Sequence, residues 1–199
     1  MDKQILSNAI KALSEGKLIV YPTDTLYALG ANIFNEDAVR KVYSIKKRKF
    51  NDPLPVAVVN VDEMEKIALV NENARILAKN FLPGKLTLIL KKRPNVSDVV
   101  TAGLDNIAIR IPDNQIALEL LSRFGPITAT SANIHGKQTP GTIKNVMKQF
   151  KKTDISVFID DGVLEGKAST IVDASSTHLN ILREGDITKK QILEVIRHG

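Results

Sequence analysis

Lys46 and Arg48, in the run Ile45-Lys46-Lys47-Arg48, and Ser131 and Asn133, in Thr128-Ala129-Thr130-Ser131-Ala132-Asn133, are the residues whose types and spacing most readily do chemistry. The first pair concentrates positive charge and the second offers neutral hydrogen-bonding groups, a combination suited to a phosphate-bearing substrate. Each half also has a plainer reading. Basic triplets usually form solvated helix ends, and Ser-Ala-Asn is usually a turn.

Other polar residues stand where apolar ones would be ordinary. The segment from Tyr21 to Gly30 leaves an apolar run and packs hydroxyls (Thr25 among them), a carboxylate and a phenol into a short loop able to orient a small polar ligand. Its alternative is a capped turn held by its own Thr and Asp side chains. Arg110 interrupts an apolar strand, so it pairs either with an internal carboxylate or with an anionic ligand; an unpaired buried guanidinium costs too much desolvation. Ser169 precedes a strand and Arg183 closes one, which puts polar groups at sheet ends, where α/β ligand sites form.

The elements that must position these residues follow from apolar periodicity. Ile5, Leu6, Ala9, Ile10 and Leu13 recur at helical spacing, Gly16 stops that helix, and Leu18 to Tyr21 reads as a buried strand. Asn35 with Glu36 and Asp37 predicts the cap and acidic first turn of a helix carrying Ala38, Val39, Val42 and Ile45, with Lys46 and Arg48 at its carboxyl end, where the helix dipole also favours cations. Strands are predicted at Pro55 to Val59, Leu86 to Leu90, Ile107 to Ile111, Val157 to Ile159, Thr170 to Val172 and Asn180 to Leu182, and Ile127 to Ala129 reads as a short buried run. Helices are predicted around Met64 to Leu69, Ala74 to Phe81 and Ile116 to Phe124, and again after a Thr188–Gln191 capping box, with Ile192, Val195 and Ile196 as the buried stripe. Strands and helices alternate without repeats or a long linker, which predicts one mixed α/β (α+β) domain over residues 1–199.

Composition narrows the chemistry. A chain of 199 residues, 43% hydrophobic and 25% charged, suits a globular domain rather than a disordered or fibrous one. With no cysteine, disulfides, thiolate zinc sites and a cysteine nucleophile are excluded, and three scattered histidines make no histidine metal site. No apolar run approaches the roughly 20 residues needed to cross a bilayer, and the amino terminus has no signal segment, so no membrane role and a cytoplasmic location are expected. The net charge of +6 favours anionic partners such as nucleotides or RNA, although lysine on solvated faces gives the same number. The usual nucleotide-binding loops, G-x-x-x-x-G-K-[ST] and G-x-G-x-x-G after a strand, do not occur, so any ATP site is unconventional.

In order along the chain, YPTDTLYALG, IKKRKFNDPL, PGKLTLIL, NIAIRIP, ITATSANIHGKQTP, STIVD and ILREGDI resemble the YrdC-like threonylcarbamoyl-AMP synthases, from about Leu18 to Ile187. The resemblance implies a twisted, mostly open mixed sheet flanked by helices, with a concave basic surface. It also implies synthesis of threonylcarbamoyl-adenylate and pyrophosphate from ATP, L-threonine and bicarbonate, with Mg²⁺ accompanying ATP. Partner proteins would then transfer the threonylcarbamoyl group to tRNA.

By the same resemblance, Lys46 and Arg48 contact phosphate and carbamate and are the catalytic pair. Asp52, Asn106, Ser131, Asn133, Thr139 and Arg183, with Arg48, belong to ATP, while Thr25, Arg110 and Ser169 belong to L-threonine. No resident metal ligands are implied. The family often has Gly at Ala28, Asn near Asp52, Thr at Asn106 and Pro at Thr130. A carboxylate at Asp52 would repel phosphate unless it met Mg²⁺ or an ammonium group. Longer members carry His at Ala57 and a second domain, so this chain is similar to the short, single-domain form. Two other functions compete. One is a non-catalytic module for double-stranded RNA or tRNA, set against a 5% aromatic content and no RNA-reading motif. The other is the carbamoyl-transfer branch of the superfamily, whose chains are larger and cysteine-bearing.

Overall fold

A computed structural model describes residues 3–150 and 155–198. The first helix, α1 (Lys3–Ser14), buries Leu6, Ala9 and Leu13 as their spacing predicts. The chain then reverses at Gly16, whose φ of 68° suits a residue without a side chain, into β1 (Ile19–Tyr21). β2 (Ala28–Gly30) returns antiparallel to β1. In α2 (Glu36–Lys46) the Asn35 carboxamide oxygen accepts from the Ala38 amide at 3.0 Å, the cap read from the sequence.

Next come β3 (Val56–Ala57), α3 (Val61–Ile67), β4 (Ala68–Leu69), α4 (Glu72–Phe81), β5 (Leu86–Lys92), α5 (Asp98–Thr101) and β6 (Asn106–Arg110). The chain continues through α6 (Gln115–Phe124), β7 (Ile127–Thr128), β8 (Thr130–Ser131), α7 (Ile143–Gln149) and β9 (Val157–Phe158). It ends with β10 (Thr170–Asp173), β11 (Asn180–Arg183) and α8 (Lys189–His198). The capping box of α8 forms as expected: the Thr188 amide donates to Gln191 Oε1 at 2.8 Å, and the Gln191 amide donates back to Thr188 Oγ1 at 3.3 Å.

The α/β class agrees with the sequence reading, with the strands divided between two mixed sheets. The smaller has the order β8-β2-β1-β9, and the larger β11-β10-β5-β6-β3-β7, with β4 added beside β5. Three local readings differ. Ala68 and Leu69 leave the helical path to pair with Lys92 and Lys91. Ala28–Gly30 and Thr130–Ser131, which read locally as loop and turn, pair with each other as strands, Ala28 against Ser131 and Leu29 against Thr130. Two further helices, α5 and α7, lie in stretches whose periodicity gave no signal. Among the described residues, no helix is long and apolar enough to cross a membrane.

Strand β1 is buried on both faces. Val20 joins one core with Leu29, Val42, Leu88 and Ile109, while Ile19 and Tyr21 join a second under α1 and α6 with Leu6, Leu13 and Leu120. Each fully buried side chain of this kind contributes about 1.5–3 kcal/mol, so β1 is fixed from two sides. Thr128 ties the sheets together: its hydroxyl donates to Leu29 O at 2.8 Å and accepts from the Ala31 amide at 3.0 Å.

Candidate active site

A cavity of about 510 Å³ opens between the two sheets, within the usual range for small-ligand sites. Strand alternation decides which side chains enter it. On β5, Leu86, Leu88 and Leu90 face the core, while Thr87 and Ile89 line the cavity. On β6, Ile107 and Ile109 are core, and Ala108 and Arg110 line the cavity. The arginine that looked anomalous in an apolar strand therefore occupies the ligand-facing rung.

Arg110 is closely held. Its Nη1 donates to Thr25 Oγ1 at 3.0 Å, and its Nη2 donates to Asp24 Oδ1 at 2.5 Å and, more distantly, to Gly84 O at 3.4 Å. Thr25 Oγ1 also lies 3.0 Å from Thr23 Oγ1. Across the floor, the hydroxyls of Thr87 and Ser169 are 2.8 Å apart. At the rim, Arg183 Nε donates to Ser169 O at 3.0 Å. Partial burial, and then the nearby Arg110 cation, lower the Arg183 pKa below its usual value.

The Lys-x-Arg pair separates at Lys47, the left-handed cap of α2 (φ 52°). Beyond it, Arg48 lines the cavity, with Nε donating to Asp52 O at 3.2 Å and Nη2 to Pro53 O at 3.0 Å. Lys46 is buried behind the wall. Its ammonium donates to Ser131 O, to Asn133 O at 2.7 Å and to Asn133 Oδ1 at 3.3 Å. Burial, and secondly repulsion from Arg48, lower its pKa to about 7.

Of the residues singled out in the sequence, Thr25, Arg48, Arg110, Ser131, Thr139, Ser169 and Arg183 border one cavity. Lys46 and Asn133 support that wall from behind, in contact with Ser131. Asp52 offers its backbone carbonyl to Arg48, and its side chain is not part of the lining. Asn106 shares a sheet face with Ala108 and Arg110 but lies four residues from Arg110, about 13 Å along the strand; its amide donates to Ser175 Oγ at 3.3 Å. Ala28 and Thr130, both departures from the family pattern, are in the lining, whereas Ala57 belongs to the second core.

Thr23 and Thr87 also line the cavity and were not singled out in the sequence. Thr87 interrupts Leu86-Thr87-Leu88-Ile89-Leu90 as Arg110 interrupts its own strand, a signal that gains meaning once the β5–β6 register is known. Together the lining provides three guanidinium groups, one of them paired with Asp24, several hydroxyls, and an apolar patch from Ile89, Ala108 and Ile171. That set can hold an extended anion beside a small, partly apolar one. Among the described residues no three acidic or histidine side chains converge as a metal site.

Comparison with known proteins identifies the family. Residues 11–185 match the Sua5/YciO/YrdC family model, described as "Telomere recombination". A Methanocaldococcus jannaschii relative, provisionally named threonylcarbamoyl-AMP synthase, is 44% identical over 186 residues, covering 93% of this chain and 87% of that one. The Bacillus subtilis threonylcarbamoyl-AMP synthase is 40% identical over 199 residues, covering 98% of this chain and 57% of its own. The crystal structure of Pyrococcus abyssi Sua5 complexed with L-threonine superposes with a TM-score of 0.91 at 38% identity, over 97% of this chain and 57% of that one. The chain thus spans most of one relative and a little over half of the other two. On sequence and fold together, it belongs to the Sua5/YciO/YrdC family.

Proposed function

We propose that this chain is a threonylcarbamoyl-AMP synthase, which joins L-threonine, bicarbonate and ATP into threonylcarbamoyl-adenylate with release of pyrophosphate. The observation that carries the proposal is the single cavity in which the Arg110–Thr25 pair shares a floor with Arg48, Ser131 and Arg183. Arg110 and the Thr25, Thr87 and Ser169 hydroxyls are suited to an amino acid's carboxylate and hydroxyl; a forked guanidinium matches a carboxylate well. Arg48 and Arg183 are suited to a polyphosphate, with Ser131 and Thr139 supplying neutral contacts.

The chemistry needs this distribution. Threonine's amine captures carbon dioxide, with loss of a proton, or bicarbonate, with loss of water, as a carbamate, and a carbamate oxygen then attacks the α-phosphorus of ATP as pyrophosphate leaves. Nucleophile and electrophile both carry negative charge, so fixed cations at the α-phosphoryl group and the departing pyrophosphate lower the barrier. No covalent enzyme intermediate is required. Mg²⁺ enters as part of the substrate, bound to the nucleotide's phosphates. The product passes to separate transfer proteins that act on tRNA in the cytoplasm.

The test is pyrophosphate release by purified protein given ATP and Mg²⁺, with L-threonine and bicarbonate omitted in turn. Release that needs both supports the reading; release indifferent to threonine overturns it.

A further inference from the structure

The two cations of the Lys-x-Arg motif occupy different environments. Arg48 lines the cavity, whereas Lys46 is 1% exposed and lies behind it. An ammonium has three N–H donors, and three oxygens take them: Ser131 O, Asn133 O and Asn133 Oδ1. The helix end and the Ser-Ala-Asn turn are joined a second time, because Lys46 O accepts from the His135 amide at 2.7 Å.

The contacts continue outward from Asn133. Its Oδ1 accepts from Ser131 Oγ at 2.6 Å, and its Nδ2 donates to Lys137 O at 2.6 Å. Ser131 and Thr139, at the two ends of this stretch, both line the cavity. Without the Lys46 side chain the converging oxygens would lose their donor, and each buried orphan costs about 1–3 kcal/mol. For Lys46 to reach a phosphate, at least one of these bonds would have to break.

We propose that Lys46 is a positioning residue: its ammonium is an internal clamp that holds the turn from Ser131 to Asn133, and through Asn133 the stretch to Thr139, in the shape that presents Ser131 and Thr139 to the nucleotide. This rests on the synthase reading for the identity of the nucleotide. The clamp itself follows from the contacts. Arg48, two residues on, is then the motif's direct phosphate ligand.

Two measurements test the clamp, one without turnover. Amide hydrogen exchange below pH 7 in Lys46→Met is expected to rise at least about tenfold across residues 131–139, with the two cores unchanged. Ser131→Ala keeps every Lys46 contact, since the Ser131 acceptor is a backbone carbonyl, and loses only the Ser131 Oγ bond to Asn133 Oδ1; it is expected to raise exchange far less than Lys46→Met does, while lowering kcat/KM for ATP about tenfold. In the double variant, activity is expected to be no worse than in Lys46→Met alone. Parental exchange in Lys46→Met, or multiplying losses in the double variant, would overturn the clamp and return Lys46 to direct phosphate contact.

Should Lys46→Met fail to fold, the wild-type protein decides. The Lys46 Nζ resonance is expected to stay in place when a non-hydrolysable ATP analogue binds, and a large shift refutes the proposal. Failure of wild-type turnover would count against the synthase reading, while the exchange result would still decide the clamp.

Discussion

The Asp24 carboxylate accepts a hydrogen bond from Arg110 Nη2 at 2.5 Å, and the two side chains are 8% and 7% exposed. Among the described residues, the second Asp24 oxygen and Arg110 Nε are buried without a protein partner. A loop carboxylate thus fixes the orientation of a strand guanidinium and balances its charge, which settles the choice left open by the sequence: Arg110 has an internal partner and also faces the cavity.

Removing either member leaves an uncompensated buried charge. Asp24→Ala and Arg110→Ala should each lower unfolding free energy by about 3–5 kcal/mol, read from urea melts, and the double variant should lose less than their sum. Fully additive losses would mean that the pair is not coupled. In Arg110→Lys, which keeps the charge but not the fork, the KM for L-threonine should rise about tenfold or more.

Lys46 should make stability depend on pH. Its pKa in the folded chain is about 7, against an ordinary 10.5, so between those values the unfolded state binds more protons and stability rises with pH. The slope due to this group is at most about 1.4 kcal/mol per pH unit. Urea midpoints from pH 7 to 9.5 should therefore climb more steeply in the wild type than in Lys46→Met. Parallel profiles would show that Lys46 has its ordinary pKa in the folded protein.

The loop from Ile159 to Ser169 crosses the Thr25 segment at Gly166, whose amide donates to Thr25 O at 3.0 Å. A Cβ there would lie 2.5 Å from Thr25 O and 2.6 Å from its Cα, both backbone atoms. Gly166→Ala should displace Thr25, raising the KM for L-threonine about tenfold and lowering stability by about 1–3 kcal/mol. A parental KM would mean that Thr25 does not contact the amino acid.

Thr87→Val keeps the shape of the floor but removes the hydroxyl paired with Ser169 at 2.8 Å. Loss of about 1 kcal/mol of hydrogen bonding should raise the KM for L-threonine about fivefold at nearly constant kcat. A fall in kcat alone would argue that the floor contributes to chemistry rather than binding.

Much of this was legible before the structure. Helical spacing located α1, α2, α4 and α6, and Asn35 and Thr188 marked helix starts, because these signals are local. The pairing of Ala28 with Ser131 was not legible, since a turn-like segment becomes a strand only when a distant partner supplies its hydrogen bonds. Arg110 stood out as a charge among apolar neighbours; Thr87 did not, because a threonine in a strand is ordinary until the register shows which face it shares. The motif resemblance placed Lys46 and Arg48 together, while the left-handed cap at Lys47, which sends them to opposite sides of the wall, is a backbone feature that residue types do not announce.

The most direct measurement is mass spectrometry of the nucleotide products formed from ATP, L-threonine and ¹³C-bicarbonate by the wild type and by Arg48→Ala. Threonylcarbamoyl-adenylate carrying the ¹³C label, formed by the wild type and strongly reduced in the variant, is the expected result. ATP consumed to ADP or AMP, with no labelled adenylate, would contradict the synthase assignment.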